Sequence, residues 1–373
     1  MVAQDGREAG LPPAIETGAL HALFVYDLAD TIDLSRLQSV GGGGVARAPL
    51  ALRRETSPGS LQFPIPPVAA RLPTVDIDGR AASVLAKVFD YGVVAIRLTI
   101  PYAGEWAGFA EIARSLRATD DAANAARGVL DHLLLDIAAA LDKAHEPLVE
   151  DYFAFEVGAF AQTLTAAVLL QRYAPALAQL MAGEERWLEP DARAELLRTR
   201  FSYFEDDLVV VQWDGAFIYD RPEAAAATMD ILEFANTQLV ELRTYDGLLD
   251  AELDAIYAVQ TRRTFGPLAR KAAVAAADRL RYLIVDVLEL TDRSSNALKI
   301  TGDAYYARLY RAAATRLGLS DWQRQLDSKM SSVNEMYRFF ADQAQNARAE
   351  FLELTVVLLI AVEIVIGLLS LRH

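Results

Sequence analysis

Glu205, Asp206 and Asp207 stand in a row just ahead of the run LVVVQWDGAFIYD, and three adjacent carboxylates are the densest candidate in the chain for metal binding or general acid/base work. The β-rich residues that follow favour a simpler role, the polar entry to a hairpin. Asp246, Asp250 and Asp254 recur at a spacing of four, which lines one face of a helix as a solvated stripe and puts Arg243 within reach of Asp246. The histidines are His21, His132, His145 and His373, and none has a neighbour at metal-ligand spacing. Gly41, Gly43 and Ala46 satisfy a dinucleotide-binding spacing only because four glycines stand together, with no strand before them and no helix after. There is no GxxxxGK[ST] loop and no GxSxG elbow. Cysteine is absent, which excludes disulfides and thiol catalysis and fits a reducing compartment. The expectation is a protein without catalytic, cofactor or metal sites, and not an enzyme.

Composition bounds the partners. The 373 residues are enough for two or three domains, and the formal net charge is −15. Neutralising a phosphate backbone needs clustered Lys and Arg, and here the basic residues are interleaved with Asp and Glu. The densest basic patch, Arg262, Arg263, Arg270 and Lys271, is adequately explained as a solvated helix face. Direct nucleic-acid binding is not expected.

Among the elements that would position these residues, 1–18 reads as a disordered leader and HALFVYDL as a strand, with a helix near Thr31 to Gln38. A Gly- and Pro-rich loop follows at about 40–74. SVLAKVFDYGVVAIRLTI predicts a hairpin turning at Asp90, Tyr91 and Gly92; Glu105 to Leu116 predicts a helix and Glu150 to Gly158 a strand. Asp214–Gly215 is a pair favoured at the centre of a type I′ turn, with positive φ at both residues. After Pro222 the pattern is helical: Glu223 to about Gln260, Leu268 to Leu290 and Ala304 to Leu317, then a stop at Gly318 and a capping box from Ser320 to Gln323. The fold class expected is α+β: a mixed body with antiparallel hairpins over 19–222, a helical bundle over 223–318, a stalk helix over 319–350 and one C-terminal transmembrane helix over 351–371.

The stalk carries apolar or small residues at alternating steps of four and three, among them Leu326, Met330, Val333, Tyr337 and Phe340. That seam fits self-association as a coiled coil, or packing on Tyr306, Leu309, Tyr310 and Ala313 within one chain. From Leu352 to Leu371 the run is aliphatic and about 30 Å long as a helix, enough to cross a bilayer. From Val356 onward its one carboxylate is Glu363, which costs less than the aliphatic residues return. Thr355, Glu363, Gly367 and Ser370 share the smaller, more polar side of this helix, the side expected to meet a second helix, most simply a symmetry mate. A single-pass protein anchored in the lipid bilayer, with the bulk of the chain in the cytoplasm, follows from this pattern.

The segments VFDYGVVAIR, SYFEDDLVVVQWDGAFIYD, ANTQLVELRTYDGLLDAELDAIY, KITGDAYYARLYRAA and LLIAVEIVIGLL, in that order over residues 20 to 371, resemble the "required for meiotic nuclear division" family with its bacterial YagE-type members. The resemblance implies a membrane-anchored protein without established catalytic activity, and its mitochondrial members are associated with organellar translation. Together these readings predict a membrane-tethered, cytoplasm-facing scaffold. It would form homo-oligomers through stalk and membrane helix and hold a ribosome or an assembly factor. An oligomeric transport or channel-like component is the alternative.

Overall fold

The computed structural model describes residues 10–37, 39–40, 43–44, 65–261 and 304–335, with residues 275, 281–282, 284–285, 338, 356–357, 359–360 and 364 beyond these. The chain falls into two compact units, Met1–Thr244 with Arg293–Trp322, and Tyr245–Asp292 with Gln323–His373.

The first unit is built on a sheet that has eight strands among the described residues. In chain order they are β1 (Ile15–Ile32), β4 (Val68–Ile77), β5 (Arg80–Val88), β6 (Val93–Gly104), β7 (Leu141–Phe160), β8 (Arg200–Phe201), β9 (Leu208–Val211) and β10 (Gly215–Tyr219), with β2 (Ser39–Val40) and β3 (Gly43–Gly44) forming a separate small pair. The spatial order is β4-β5-β6-β1-β7-β10-β9-β8. Neighbours run antiparallel except β7 and β10, which are parallel, with Gly215 opposite Phe153 and Tyr219 opposite Val157. The connection between that parallel pair carries the short helices α3 (Ala166–Arg172), α4 (Ala174–Ala182) and α5 (Pro190–Leu196).

Alternation along β1 sorts the two faces of the sheet. Leu20, Ala22, Phe24, Tyr26 and Leu28 point to one side, where they join Val94, Ile96 and Leu98 of β6 and Phe153, Phe155 and Val157 of β7 in the hydrophobic core. Two helices cover this side, α1 (Trp106–Ala118) and α2 (Asp121–Ile137). They bury Trp106, Phe109, Ala113 and Leu116, and Ala122, Ala126, Leu130, Leu133 and Ile137, at the three- and four-residue steps of an amphipathic helix. On the other side, where Leu23 and Val25 alternate, the long helix α6 (Pro222–Thr261) buries Ile231, Leu232 and Phe234 and adds polar contacts: Lys87 of β5 reaches Asp230 at 2.8 Å and Glu233 at 2.5 Å, and the Tyr91 and Thr237 hydroxyls are 3.0 Å apart. Helix α7 (Ala304–Arg316) ends at Gly318, whose φ of +69° suits glycine, and α8 follows over 319–335.

Several expectations change. The Asp90–Gly92 turn, α1, α6 and α7 lie where their patterns put them, but β1 starts at Ile15 inside the expected leader and β4 starts at Val68 inside the expected loop. The helix near Thr31 is a single 3-10 turn, Leu34–Arg36. The turn between β9 and β10 is centred one residue early: the Gln212 N–H donates to the Gly215 carbonyl at 2.8 Å, which leaves Trp213 and Asp214 at the centre, and neither has positive φ. Helix α8 begins at 319, and the Gly318 carbonyl accepts from the Asp321 and Trp322 N–H groups, so Ser320 sits inside the first turn rather than capping it.

The membrane part of the expected fold class is corrected as well. Crossing a bilayer takes about 20 consecutive apolar helical residues, and among the described residues no helix is long and apolar enough. The longest, α6 at 40 residues, carries Glu223, Asp230, Glu233, Glu241, Arg243 and Asp246 within its first 25 positions or so. The single-pass placement with the bulk of the chain in the cytoplasm loses its basis with the span. Most of 351–371, including Thr355, Glu363, Gly367 and Ser370, lies outside the described residues. Of the stalk seam, Leu326, Met330 and Val333 are buried within the chain itself, and Tyr337 and Phe340 lie outside the described residues.

Candidate functional site: an arginine and tryptophan cleft

The first unit opens a cleft of about 350 Å³ at the end of the sheet where β9 turns into β10. One wall comes from α1. Packing Leu116 into the core carries the next residue, Arg117, onto β7, where its guanidinium lies over the Phe155 ring at 5.0 Å and the Phe153 ring at 5.9 Å. Nη1 donates to the Met181 carbonyl at 2.5 Å. Nη2 stands 3.7 Å from the Asp214 carboxylate, too far for a hydrogen bond, and Nε and Nη2 are shut off from water with no hydrogen-bond partner. Burial lowers the pKa of Arg117, with the Asp214 charge opposing. Gly215 makes room for this arrangement: a Cβ there would lie 2.5 Å from the Phe153 carbonyl oxygen and 2.6 Å from Nη2.

The opposite wall comes from α6, α7 and the start of α8. Asn236, Leu239 and Arg243 of α6 face the cleft, with Arg316, Leu317 and Trp322 beside them. Arg243 pairs with Glu150 of β7 and its guanidinium is 5.8 Å from the Trp322 ring. Arg316 donates from Nε to the Thr199 hydroxyl at 2.7 Å. At the mouth, Trp213 is 70% exposed, a large apolar side chain held in water by a turn whose neighbours are pinned: the buried Tyr152 hydroxyl donates to the Gln212 carbonyl at 3.2 Å. Three arginines thus line the cleft with Glu150, Asp151 and Asp214, so it joins balanced charge to an apolar lining and is flanked by two indoles. Such a site can stack a flat group and grip a negative one.

The residues singled out by their spacing serve structure. Asp207 is buried and accepts the Tyr203 and Phe204 N–H groups at 2.7 Å each, closing the loop before β9. Asp206 lies 3.9 Å from Arg221, and the Glu205 carbonyl accepts the Ala166 N–H. Among the described residues no group of His, Asp and Glu could hold a metal ion. Asp246 and Asp250 take Lys329 between them at 2.7 and 2.6 Å, so two members of the expected solvated stripe are paired, while Arg243 goes to Glu150 and not to Asp246.

A second polar cluster had no signal in spacing. His21 of β1 lies between Thr99 of β6, at 3.0 Å from Nδ1, and Glu156 of β7, at 2.9 Å from Nε2. Burial lowers the His21 pKa against the pull of Glu156. A neutral ring that donates from Nε2 to a carboxylate accepts at Nδ1, so the Thr99 hydroxyl is the donor there. This is the order of a nucleophilic triad, yet His21 and Thr99 are directly paired across adjacent strands, and the three side chains clamp β6, β1 and β7 together. Arg117, Trp213, Arg243 and Trp322 were equally silent in the sequence, spread over more than half the chain. Their one visible sign is a tryptophan in a two-residue turn between strands.

Comparison with known proteins gives a family and no activity. Residues 17–225 match the family model described as the N-terminal domain of uncharacterized protein MJ0711. The uncharacterized protein MJ0711 of Methanocaldococcus jannaschii is 25% identical over 193 residues, which are 52% of this chain and 58% of that protein, so less than two thirds of the relative's length is spanned. No solved structure matches. The expected kinship with the "required for meiotic nuclear division" family, and the membrane keywords drawn from it, are overturned by this match, which covers Arg117, Glu150, Trp213, Asp214 and Gly215 and stops short of Arg243 and Trp322. With more than half of its residues aligned to that model, the chain belongs to the MJ0711 N-terminal-domain family.

Proposed function

We propose that this protein is a non-enzymatic scaffold that holds a protein partner at the Trp213 cleft. The observation that carries this reading is the exposed indole of Trp213 beside Arg243, Arg316 and Trp322, because tryptophan and arginine beside a partly desolvated pocket are the side chains that dominate binding energy at protein interfaces. His21, Lys87 and Asp207 are spent on holding the fold, whereas the cleft sets the exposed Trp213 beside arginines. A net charge of −15 favours a protein partner over a nucleic acid.

The test is a photo-crosslinking amino acid in place of the exposed Asp151 at the cleft, in the full chain and in its native cells, with one at Leu135 on α2 for comparison. The reading expects a discrete crosslinked protein from Asp151 that disappears when Trp213→Ala is added. The same products from both positions, or products indifferent to Trp213→Ala, would sink it.

A further inference from the structure

We propose that Arg117 is the anchor of an oxyanion-binding site inside this cleft, gripping a carboxylate or a phosphate side-on through Nε and Nη2. The inference rests on the cleft being the working surface, and it names the chemistry that the surface recognises.

The geometry of the guanidinium carries it. Nε–H and one Nη2–H point the same way and form the parallel fork that matches the two oxygens of a carboxylate or phosphate. Those are the two nitrogens with no hydrogen-bond partner. The remaining edge is in use, since Nη1 is tied to the Met181 carbonyl, and the flat face rests on Phe155 and Phe153. The side chain is therefore held from behind with its fork unspent, and leaving a buried donor unsatisfied is costly. Asp214 balances the charge at 3.7 Å without making the bond. Because the fork is closed to water, an arriving oxyanion takes the place of the Asp214 side chain, which lies in the two-residue turn beside Trp213 and is partly exposed. A flat body attached to that oxyanion would lie between Trp213 and Trp322, both of which line the same cavity.

Trp213 and Trp322 also supply the readout. Tryptophan fluorescence of the full-length protein is titrated with inorganic phosphate and, separately, with benzoate, up to tens of millimolar, and the relative strength of the two identifies the source of the oxyanion. The expected result is saturable quenching by at least one of them. Arg117→Lys, which keeps the charge and loses the fork, should weaken it by about tenfold or more. Asp214→Asn, which removes the competing carboxylate, should tighten it. Melting curves of each variant show whether it is folded, and Asp214→Asn decides the matter if Arg117→Lys does not fold. No saturable response in wild type and in Asp214→Asn overturns the proposal, as does an unchanged midpoint in folded Arg117→Lys. The Asp151 crosslink, repeated in Arg117→Lys, separates the two readings: a crosslink that persists without anion binding removes the anchor and leaves the scaffold standing.

Discussion

The two faces of the sheet solve the same covering problem with different chemistry, one apolar and one mixed. Toward α1 and α2 the strands present Leu20, Phe24, Ile96, Leu98 and Phe155, and the helices answer with Trp106, Phe109 and Leu130. Toward α6 the same strands set His21, Asp27, Lys87, Arg97 and Thr99 among buried apolar residues such as Leu23 and Val25, and the helix, which also buries Ile231, Leu232 and Phe234, answers the polar ones with Asp230, Glu233 and Thr237. Apolar packing is non-directional, so the first face supplies stability without dictating one pose. Paired charges tolerate few poses, and the second face gains little net energy from them once desolvation is counted. Burial works against the Lys87 ammonium, yet Glu233 and Asp230 outweigh it and its pKa is raised. The difference teaches that α6, which forms one wall of the cleft, is placed by ion pairs added to apolar packing, while α1, which carries Arg117, is placed by apolar packing.

Truncating the apolar face should do the most damage. Phe155→Ala removes a fully buried ring that contacts Phe109 and Arg117, and is expected to cost about 3–5 kcal/mol in urea denaturation. On the face toward α6 Lys87→Met should cost nearly as much, about 3–4 kcal/mol, because buried Glu233 loses Lys87 and Asp230 keeps only Arg97, at 3.9 Å. The faces part company at the second substitution. Adding Glu233→Met to Lys87→Met should recover most of the loss, whereas an apolar-face cavity has no partner whose removal helps. A double variant no better than the single one would mean that Lys87 acts through packing rather than charge.

Between these extremes lies Gly215→Val, at the strand end that the two walls share. It should destabilise by about 1–3 kcal/mol in thermal melts, through collision of the new side chain with the Phe153 carbonyl and Arg117 rather than through backbone strain. Adding Arg117→Ala would relieve only the side-chain collision, so a full rescue by it would show that the carbonyl contact costs nothing.

How legible this was follows from the range over which each signal acts. The alternation in HALFVYDL, the Asp90–Gly92 turn and the four-and-three steps of α1 are local, and they predict their elements because neighbours in sequence set them. The parallel pairing of β10 with β7 reaches from Gly215 back to Phe153 across α3 to α5, and no local pattern records it. A glycine in the β9–β10 connection is plain in the sequence, but its reason, the carbonyl of another strand 2.5 Å from a would-be Cβ, is not, and the expected turn falls one residue late in consequence. The cleft is hidden for the same cause: Arg117, Glu150, Trp213, Arg243 and Trp322 come from separate elements and form no spacing. The aliphatic run after Leu352 is a strong local signal for residence in a bilayer, and the described helices do not sustain it.

The smallest expected effect tests the rule that charge near the sheet is tolerated only where it is paired. Asp220 follows β10 and precedes α6, where the chain leaves the sheet. Burial raises its pKa to about 6, the Arg221 N–H at 2.7 Å pulls the other way, and Asp207 and Asp206 push it up further. The Arg221 side chain is a weaker, opposing influence. A carboxyl that binds its proton more tightly in the folded chain than in the unfolded one gives stability that is present at low pH and lost as pH rises through the window from about 4 to about 6. At pH 7 the ionised group is therefore a net cost. Asp220→Asn should stabilise the protein by about 1 kcal/mol at pH 7, a figure discounted for the half of the group that water screens, and by nothing at pH 4, where the wild-type carboxyl is already neutral. Denaturation midpoints of the two proteins at each pH provide the measurement, and subtraction cancels Asp27 and His145, which titrate in both. A gain of equal size at both pH values would trace to hydrogen bonding at the start of α6, and a loss at pH 7 would mean that Arg221 pairs with Asp220 well enough to satisfy the rule after all.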